Sequence, residues 1–257
     1  MALPGCELSL WSAQALAEQP LTLPAELLPA GWQGQVHADG VALRFGKAQQ
    51  SLSSAVAHGG WEQTHGFINM HLRGDCPLGE TPPEMVLARH AEKRGLAADA
   101  VGMMTAASMR SLRLASVVID GVTLSVLVTA GLANARRAGD AADQPGLAAT
   151  PPTLGTINLA LGTTAALTPA AMAETLTTLT EAKAATLQDM RITSPVSGAL
   201  ATGTGTDATA VFCAPQGNPL RYTGKHTRFG EQAARLVIVA LGDAIRRDTR
   251  MLHAHVR

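Results

Sequence analysis

Residues 113–119 and 122–128 are two runs of matched length, built mostly from Val, Leu, Ile, Ala and Ser, with only Asp120-Gly121 between them. A two-residue type I′ turn needs positive φ at both central positions, which Gly adopts freely and Asp tolerates. The stretch therefore predicts a tight β-hairpin and commits the chain to antiparallel pairing. Further strands are expected at 41–45, at 52–58 ending on Gly59-Gly60, at 66–72, at 156–161 and at 208–213. Helices alternate with them. Pro82-Pro83 opens one that runs to Arg94 and stops at Gly95, and Thr168-Pro169 caps a second running to about Met190. A third spans 227–247; its middle, Leu236-Val237-Ile238-Val239-Ala240-Leu241, is apolar all round and expected to be buried. Hairpins mixed with helices point to an α+β fold, with mixed and antiparallel sheets covered by helices. Residues 1–40 read as a peripheral segment and 41–257 as a single domain. Residues 138–153, rich in Ala, Gly, Pro and Asp, read as an exposed loop. No repeat at solenoid spacing is present.

At 257 residues the chain can bury a full core. Lys and Arg number 20 and Asp and Glu 20, so the clustered basic excess of a nucleic-acid binder is missing. With 46% hydrophobic and 16% charged residues, extended disorder is not expected. Aromatic residues are 3%, which leaves Ala, Leu, Val and Met to build the core. Cys6, Cys76 and Cys213 are odd in number and far apart, so neither a disulfide framework nor a Cys-x-x-Cys metal site is expected, and a cytoplasmic location is. Leu3-Pro4-Gly5-Cys6 imitates a lipoprotein box but no apolar segment precedes it. Glu7 and Glu18 argue against a signal peptide, and no run reaches membrane-spanning length.

Several motifs have bland readings of equal or greater weight. Gly203-x-Gly205-x-x-Ala208 has the spacing of a dinucleotide fingerprint but opens a strand instead of a helix, so that reading is set aside. Gly224-Lys225-His226-Thr227 lacks phosphate-loop spacing. His65 and His71 share a strand face six residues apart, too far for a simple two-ligand clip, and no metal site is expected. Glu174 and Glu181 fall on one helix face, as in a solvated stripe, whereas Glu181 and Lys183 point in different directions. Asn134 either caps a turn or donates to an oxyanion. Asp207 either serves a turn or orients a catalytic group. His226 either caps the last helix or acts as an acid or base near neutral pH.

One ordered set of small-residue blocks goes further. It comprises Thr129-Ala130-Gly131-Leu132-Ala133-Asn134-Ala135, Gly155-Thr156-Ile157-Asn158, Glu181-Ala182-Lys183, Thr202-Gly203-Thr204-Gly205-Thr206-Asp207 and Gly224-Lys225-His226-Thr227. With Leu52 to Val56, Phe67-Ile68-Asn69, residues 101–107 and Phe229-Gly230-Glu231, it resembles the adenosylcobinamide amidohydrolases of cobalamin salvage, over about residues 50–245. The resemblance implies hydrolysis of the amide joining aminopropanol to a corrin propionate, giving adenosylcobyric acid. The corrinoid is then substrate and no cofactor is implied. Partners beyond that small molecule are not implied, apart from a homo-oligomer, which stays open.

A second resemblance bears on mechanism. Thr129-x-Gly131-x-x-Asn134, followed by Gly155-Thr156 and Gly203-x-Gly205-x-Asp207, is similar to the DmpA aminopeptidase and ornithine acetyltransferase superfamily, and implies an αββα sandwich. There a Ser or Thr after Gly is freed by self-cleavage and its own amine acts as base. Carried over, Thr156 becomes the nucleophile and Asn134 the oxyanion donor; Gly205 departs from the pattern, where relatives often carry a hydroxyl. Asp207 and His226 are then candidates to orient or move protons, and Asn158, Glu181, Lys183, Thr204 and Thr206 to line the substrate site. A self-processing peptide or acyl amidase and a non-catalytic corrinoid binder are the alternatives.

Overall fold

The computed structural model describes residues 7–13, 19–72, 81–143, 146 and 155–254, with side chains described up to residue 247. Leu3 to Cys6, Cys76, most of the expected 138–153 loop and the His253 and His255 side chains lie outside the described residues.

The elements follow in the order β1 (Ser9–Ser12), β2 (Leu21–Thr22), β3 (Trp32–His37), β4 (Gly40–Ser53), β5 (Gly60–His71), α1 (Pro83–Lys93), β6 (Val101–Thr105), β7 (Arg113–Ile119), β8 (Val122–Ala130) and β9 (Ala135–Arg136). After these come β10 (Ile157–Thr163), α2 (Pro169–Asp189), β11 (Gly203–Thr204), β12 (Ala208–Cys213) and α3 (Arg228–Ala254). The β7–β8 hairpin turns as expected, with φ of 49° at Asp120 and 79° at Gly121. Gly95, at φ 66°, ends α1: its N–H and that of Leu96 bond back to Glu92 O and Ala91 O. Thr168 caps α2, its hydroxyl accepting from Ala171 N at 3.2 Å.

Ten strands form one mixed sheet in the order β1-β7-β8-β10-β12-β4-β3-β2, with β5 bridging β4 and β6. Among the described strands, only β10–β12 and β5–β6 pair in parallel. The branch lies in β4. Its first half pairs with β3 and the end of β5, its register shifts between Arg44 and Gln49, and its second half pairs with β12 and the start of β5. This differs from two separate strands at 41–45 and 52–58. Residues 46–51, which lie between those two expected strands, continue as strand through the irregularity, with Gln49 and Gln50 in register with Thr64 and Gln63, and the strand ends at Ser53. For the same reason β5 begins at Gly60, ahead of the expected Gly66.

Strand alternation sorts the side chains into layers. Leu124, Val126, Val128, Ile157, Leu159, Leu161 and Val211 face α2 and α3. Leu127, Ala160, Ala210 and Phe212, from the opposite face of the same strands, meet Val41, Leu43, Phe45, Phe67 and Met103 from the β3–β6 half. Ala42, Ile68 and Met70, on the far side of that half, pack on Leu87 and Ala91 of α1. The stack is therefore helices, sheet, sheet, helix: α+β with α-β-β-α layering.

Two expectations, for α3 and for residues 1–40, are corrected, whereas a core built mainly from Ala, Leu, Val and Met is as expected. Within the middle layer the scarce aromatics Trp32, Phe45, Phe67 and Phe212 meet one another at ring centroid distances of 4.0–6.1 Å. Gly162 makes room for Trp32, since a Cβ there would lie 2.5 Å from the indole. In α3, Leu236, Val237, Ala240 and Leu241 are buried but Ile238 is 40% exposed, because the helix lies on one sheet face and keeps a solvent side. Residues 1–40, read as peripheral, do supply sheet edges through β1 and β2, yet they also bury Leu23, Leu28, Trp32 and Val36 in the middle layer. No described helix is long and apolar enough to cross a membrane.

Candidate active site

The strand β10 begins just after Gly155-Thr156. Gly155 has φ 134°, and a Cβ on it would lie 2.9 Å from Asn134 N, so only glycine fits against the 131–134 turn. Gly131 N donates to Thr156 O at 3.0 Å, continuing the β8–β10 ladder to its end. The β9–β11 ribbon brings Asn134 to the 204–207 loop, where Gly205 N donates to Asn134 O at 3.2 Å. Thr206 Oγ1 donates to Gly155 O at 2.9 Å.

Thr156 sits beneath this loop, 4% exposed. Its hydroxyl faces Thr206 O at 2.8 Å and Asn158 Oδ1 at 3.2 Å. Both are carbonyl acceptors, so they orient the hydroxyl proton without being able to remove it. Behind it, Asn158 Nδ2 donates to Asn69 Oδ1 at 2.8 Å and to Met104 O at 2.9 Å, while Asn69 Nδ2 donates to Thr129 Oγ1 at 2.9 Å. Asn69, Thr129 and Asn158 are at most 1% exposed and join the two halves of the sheet.

Asp207 ties β10, β11 and α2 together. Its Oδ1 accepts from Ile157 N at 3.0 Å and from the Thr204 hydroxyl; its Oδ2 accepts from Thr204 N at 3.0 Å and from Lys183 Nζ. A carboxylate offers about four acceptor positions, all taken here, so Asp207 orients its neighbours and has no lone pair left for a substrate proton. The pairing depends on Gly203, whose Cβ would run into the carboxylate and lie 3.1 Å from Lys183 Nζ.

Over the loop lies a cleft of about 560 Å³, lined by the 202–207 segment, by Arg136 and Arg137, and by Thr180, Glu181 and Lys183 of α2. Among the described charges that line it, Asp207 is matched by Lys183, Arg136 by Asp143 and Glu181 by Lys225. Thr204 and Thr206 both face the cleft while spending their hydroxyl protons on Asp207 and Gly155.

Of the residues singled out in sequence, the fold gathers Thr156, Asn158, Asn134, Asp207, Lys183, Thr204 and Thr206, with Glu181 on the rim. It leaves His226 apart. His226 is exposed, lies beside Gly224 and Glu174, and no described hydrogen bond or ion pair joins it to Thr156, Asn134 or Asp207. Glu174, whose carboxylate accepts from Thr223 N at 2.6 Å, holds that loop on α2 about 13 Å along the helix from Lys183. Asn69 and Thr129 carry no assigned role in sequence; the signal for Asn69 is an amide between Ile68 and Met70 in a buried strand, which must find partners inside. No three His, Cys, Asp or Glu side chains converge among the described residues as metal ligands would.

The chain is 45% identical, over 85 residues, to an uncharacterized protein of Methanocaldococcus jannaschii, and this stretch is 33% of each chain. The chain thus spans about a third of the length of that curated relative. The crystal structure of the PH0078 protein from Pyrococcus horikoshii OT3 aligns over 91% of this chain and 82% of its own, with a TM-score of 0.41 and 11% identity. The sequence profile of the adenosylcobinamide amidohydrolases (CbiZ) matches residues 29–252, which takes in β3 to β12, α1, α2, nearly all of α3 and every residue of the cluster around Thr156: the chain belongs to the adenosylcobinamide amidohydrolase family.

Proposed function

We propose that this protein hydrolyses the aminopropanol amide of adenosylcobinamide, releasing adenosylcobyric acid and aminopropanol in cytoplasmic corrinoid salvage, with Thr156 as nucleophile. Thr156 Oγ1 attacks the amide carbonyl. The oxyanion is received near Asn134, and the hydroxyl proton is passed to the departing amine. Water then cleaves the resulting ester and restores the hydroxyl.

The observation that carries this reading is the setting of Thr156. Its hydroxyl is held by two carbonyl acceptors beneath the 204–207 loop that lines the cleft, while the nearby carboxylate, Asp207, is fully engaged. A proton acceptor must come from elsewhere, and cleavage between Gly155 and Thr156 supplies one in the α-amine of Thr156 itself. A cleft of about 560 Å³ accommodates an amide arm better than a whole corrin. The ring then rests at the mouth, against Arg137 and the Glu181–Lys225 pair. No cofactor enters the scheme.

The test is incubation of purified protein with adenosylcobinamide without nucleotide, followed by mass spectrometry. Loss of aminopropanol is expected; recovery of intact substrate alone, over a range of pH and temperature, overturns the reading. Short peptides assayed in parallel separate it from a peptide amidase.

A further inference from the structure

We propose that Asn69 is a positioning residue for this hydrolysis, acting through Asn158 on the hydroxyl of Thr156; the inference rests on the nucleophile reading above. The amide orientations in this buried network are settled by partner chemistry. Met104 O can only accept, so the Asn158 group facing it must be the NH2. The same NH2 faces Asn69 at 2.8 Å, so Asn69 must present its oxygen there and its NH2 to Thr129 Oγ1. Asn158 Oδ1 is then the end turned to Thr156, and Thr156 must be the donor. The hydroxyl has one proton and two acceptors, Asn158 Oδ1 and Thr206 O, so its proton points into the protein and its lone pairs are left to attack. Asn69 stands on β5 in the other half of the sheet, 89 residues from Asn158 in sequence, and fixes which way that amide is turned. Without its oxygen, one N–H of Asn158 loses its acceptor in a fully buried site, and the amide has reason to turn and present N–H to Thr156.

A residue that only pins the two sheet halves together would affect stability and leave turnover per folded molecule alone. Asn69→Leu keeps size and removes the acceptor. Asn69→Asp keeps an acceptor for Asn158 while Thr129, whose hydroxyl both donates and accepts, reverses its bond. Thr129→Val loosens Asn69 from behind. The readouts are kcat and KM per folded molecule, thermal unfolding, and the coupling of each change with Thr156→Ser. For Asn69→Leu a fall in kcat on the order of 100-fold is expected, the size of loss that small misplacements produce, with KM nearly unchanged. Asn69→Asp should recover much of it, Thr129→Val should fall between, and the effects should not add to that of Thr156→Ser. Should Asn69→Leu fail to fold, Asn69→Asp and Thr129→Val carry the same comparison. If Thr156→Ala is inactive while the Asn69 and Thr129 variants lose stability but keep wild-type kcat, the positioning role is overturned and the nucleophile stands. If Thr156→Ala keeps full turnover, both fall.

Discussion

Lys183 and Asp207 form an ion pair almost withdrawn from water, their side chains 7% and 10% exposed, at the point where α2 meets the start of β10. Breaking one side of such a pair leaves a charge without its partner in the interior, which typically costs about 3–5 kcal/mol. Lys183→Met and Asp207→Ala should each lower stability by about that much, and the double variant by less than the sum. Asp207→Ala should be the worse for activity, since it also frees Ile157 N beside the Thr156 hydroxyl. Chemical denaturation with a double-mutant cycle measures both; additive losses would mean the pair is not coupled.

Thr156→Ala should reduce hydrolysis by at least about a thousandfold, as removal of a nucleophile does elsewhere, with folding nearly intact. Thr156→Ser should keep part of the activity. Denaturing electrophoresis of the wild type should show two fragments divided between Gly155 and Thr156, with the Ala variant whole. A whole and fully active wild type would remove the α-amine from the mechanism. His226→Ala is then decisive: exposed and apart from the cluster, this residue should be replaceable without loss, and a collapse in turnover would make its imidazole the base.

His90 on α1 should make the protein acid-sensitive. Burial is the main cause that pushes its pKa below the ordinary 6.5, with Arg94, Lys93 and His37 acting the same way and Asp39 opposing them. Below pH 6.5 the unfolded chain takes up a proton that the folded imidazole resists. This contribution is therefore complete above the ordinary value and declines as pH falls through the window down to the depressed folded value. Thermal unfolding followed from pH 8 to 5 should show the decline. His90→Gln should flatten it; an unchanged profile would assign the acid sensitivity to other groups.

Hydrolysis should survive exhaustive chelation, because the described His, Cys, Asp and Glu side chains nowhere converge in threes. Turnover lost on chelation and restored by zinc would refute this and call for ligands among residues outside those described.

Local chemistry was legible along the chain. Asp120-Gly121 dictated a hairpin, Gly95 ended α1, and Thr168-Pro169 opened α2, because backbone preference and capping act over a few residues. The small-residue blocks hold most of the residues that the fold gathers around Thr156, and the α+β class followed from hairpins between helices. Other features had no local signal. Gln49 and Gln50 continue β4 because neighbouring strands supply ladder partners, Thr64 for Gln49 and both Gln63 and Cys213 for Gln50. Trp32 enters the middle layer because Gly162, far along the chain, leaves it room. Glu181 and Lys183 were bound to diverge on a helix, but only the packing of α2 against the 203–207 loop decided that Lys183 would reach Asp207 while Glu181 turned to Lys225. Asn69 acquires its partner across 89 residues, when the sheet folds over itself and a buried amide must be satisfied by whatever the opposite half presents. Periodicity and capping are written in neighbouring residues; partners brought together by chain closure are chosen by burial and hydrogen-bond satisfaction in three dimensions.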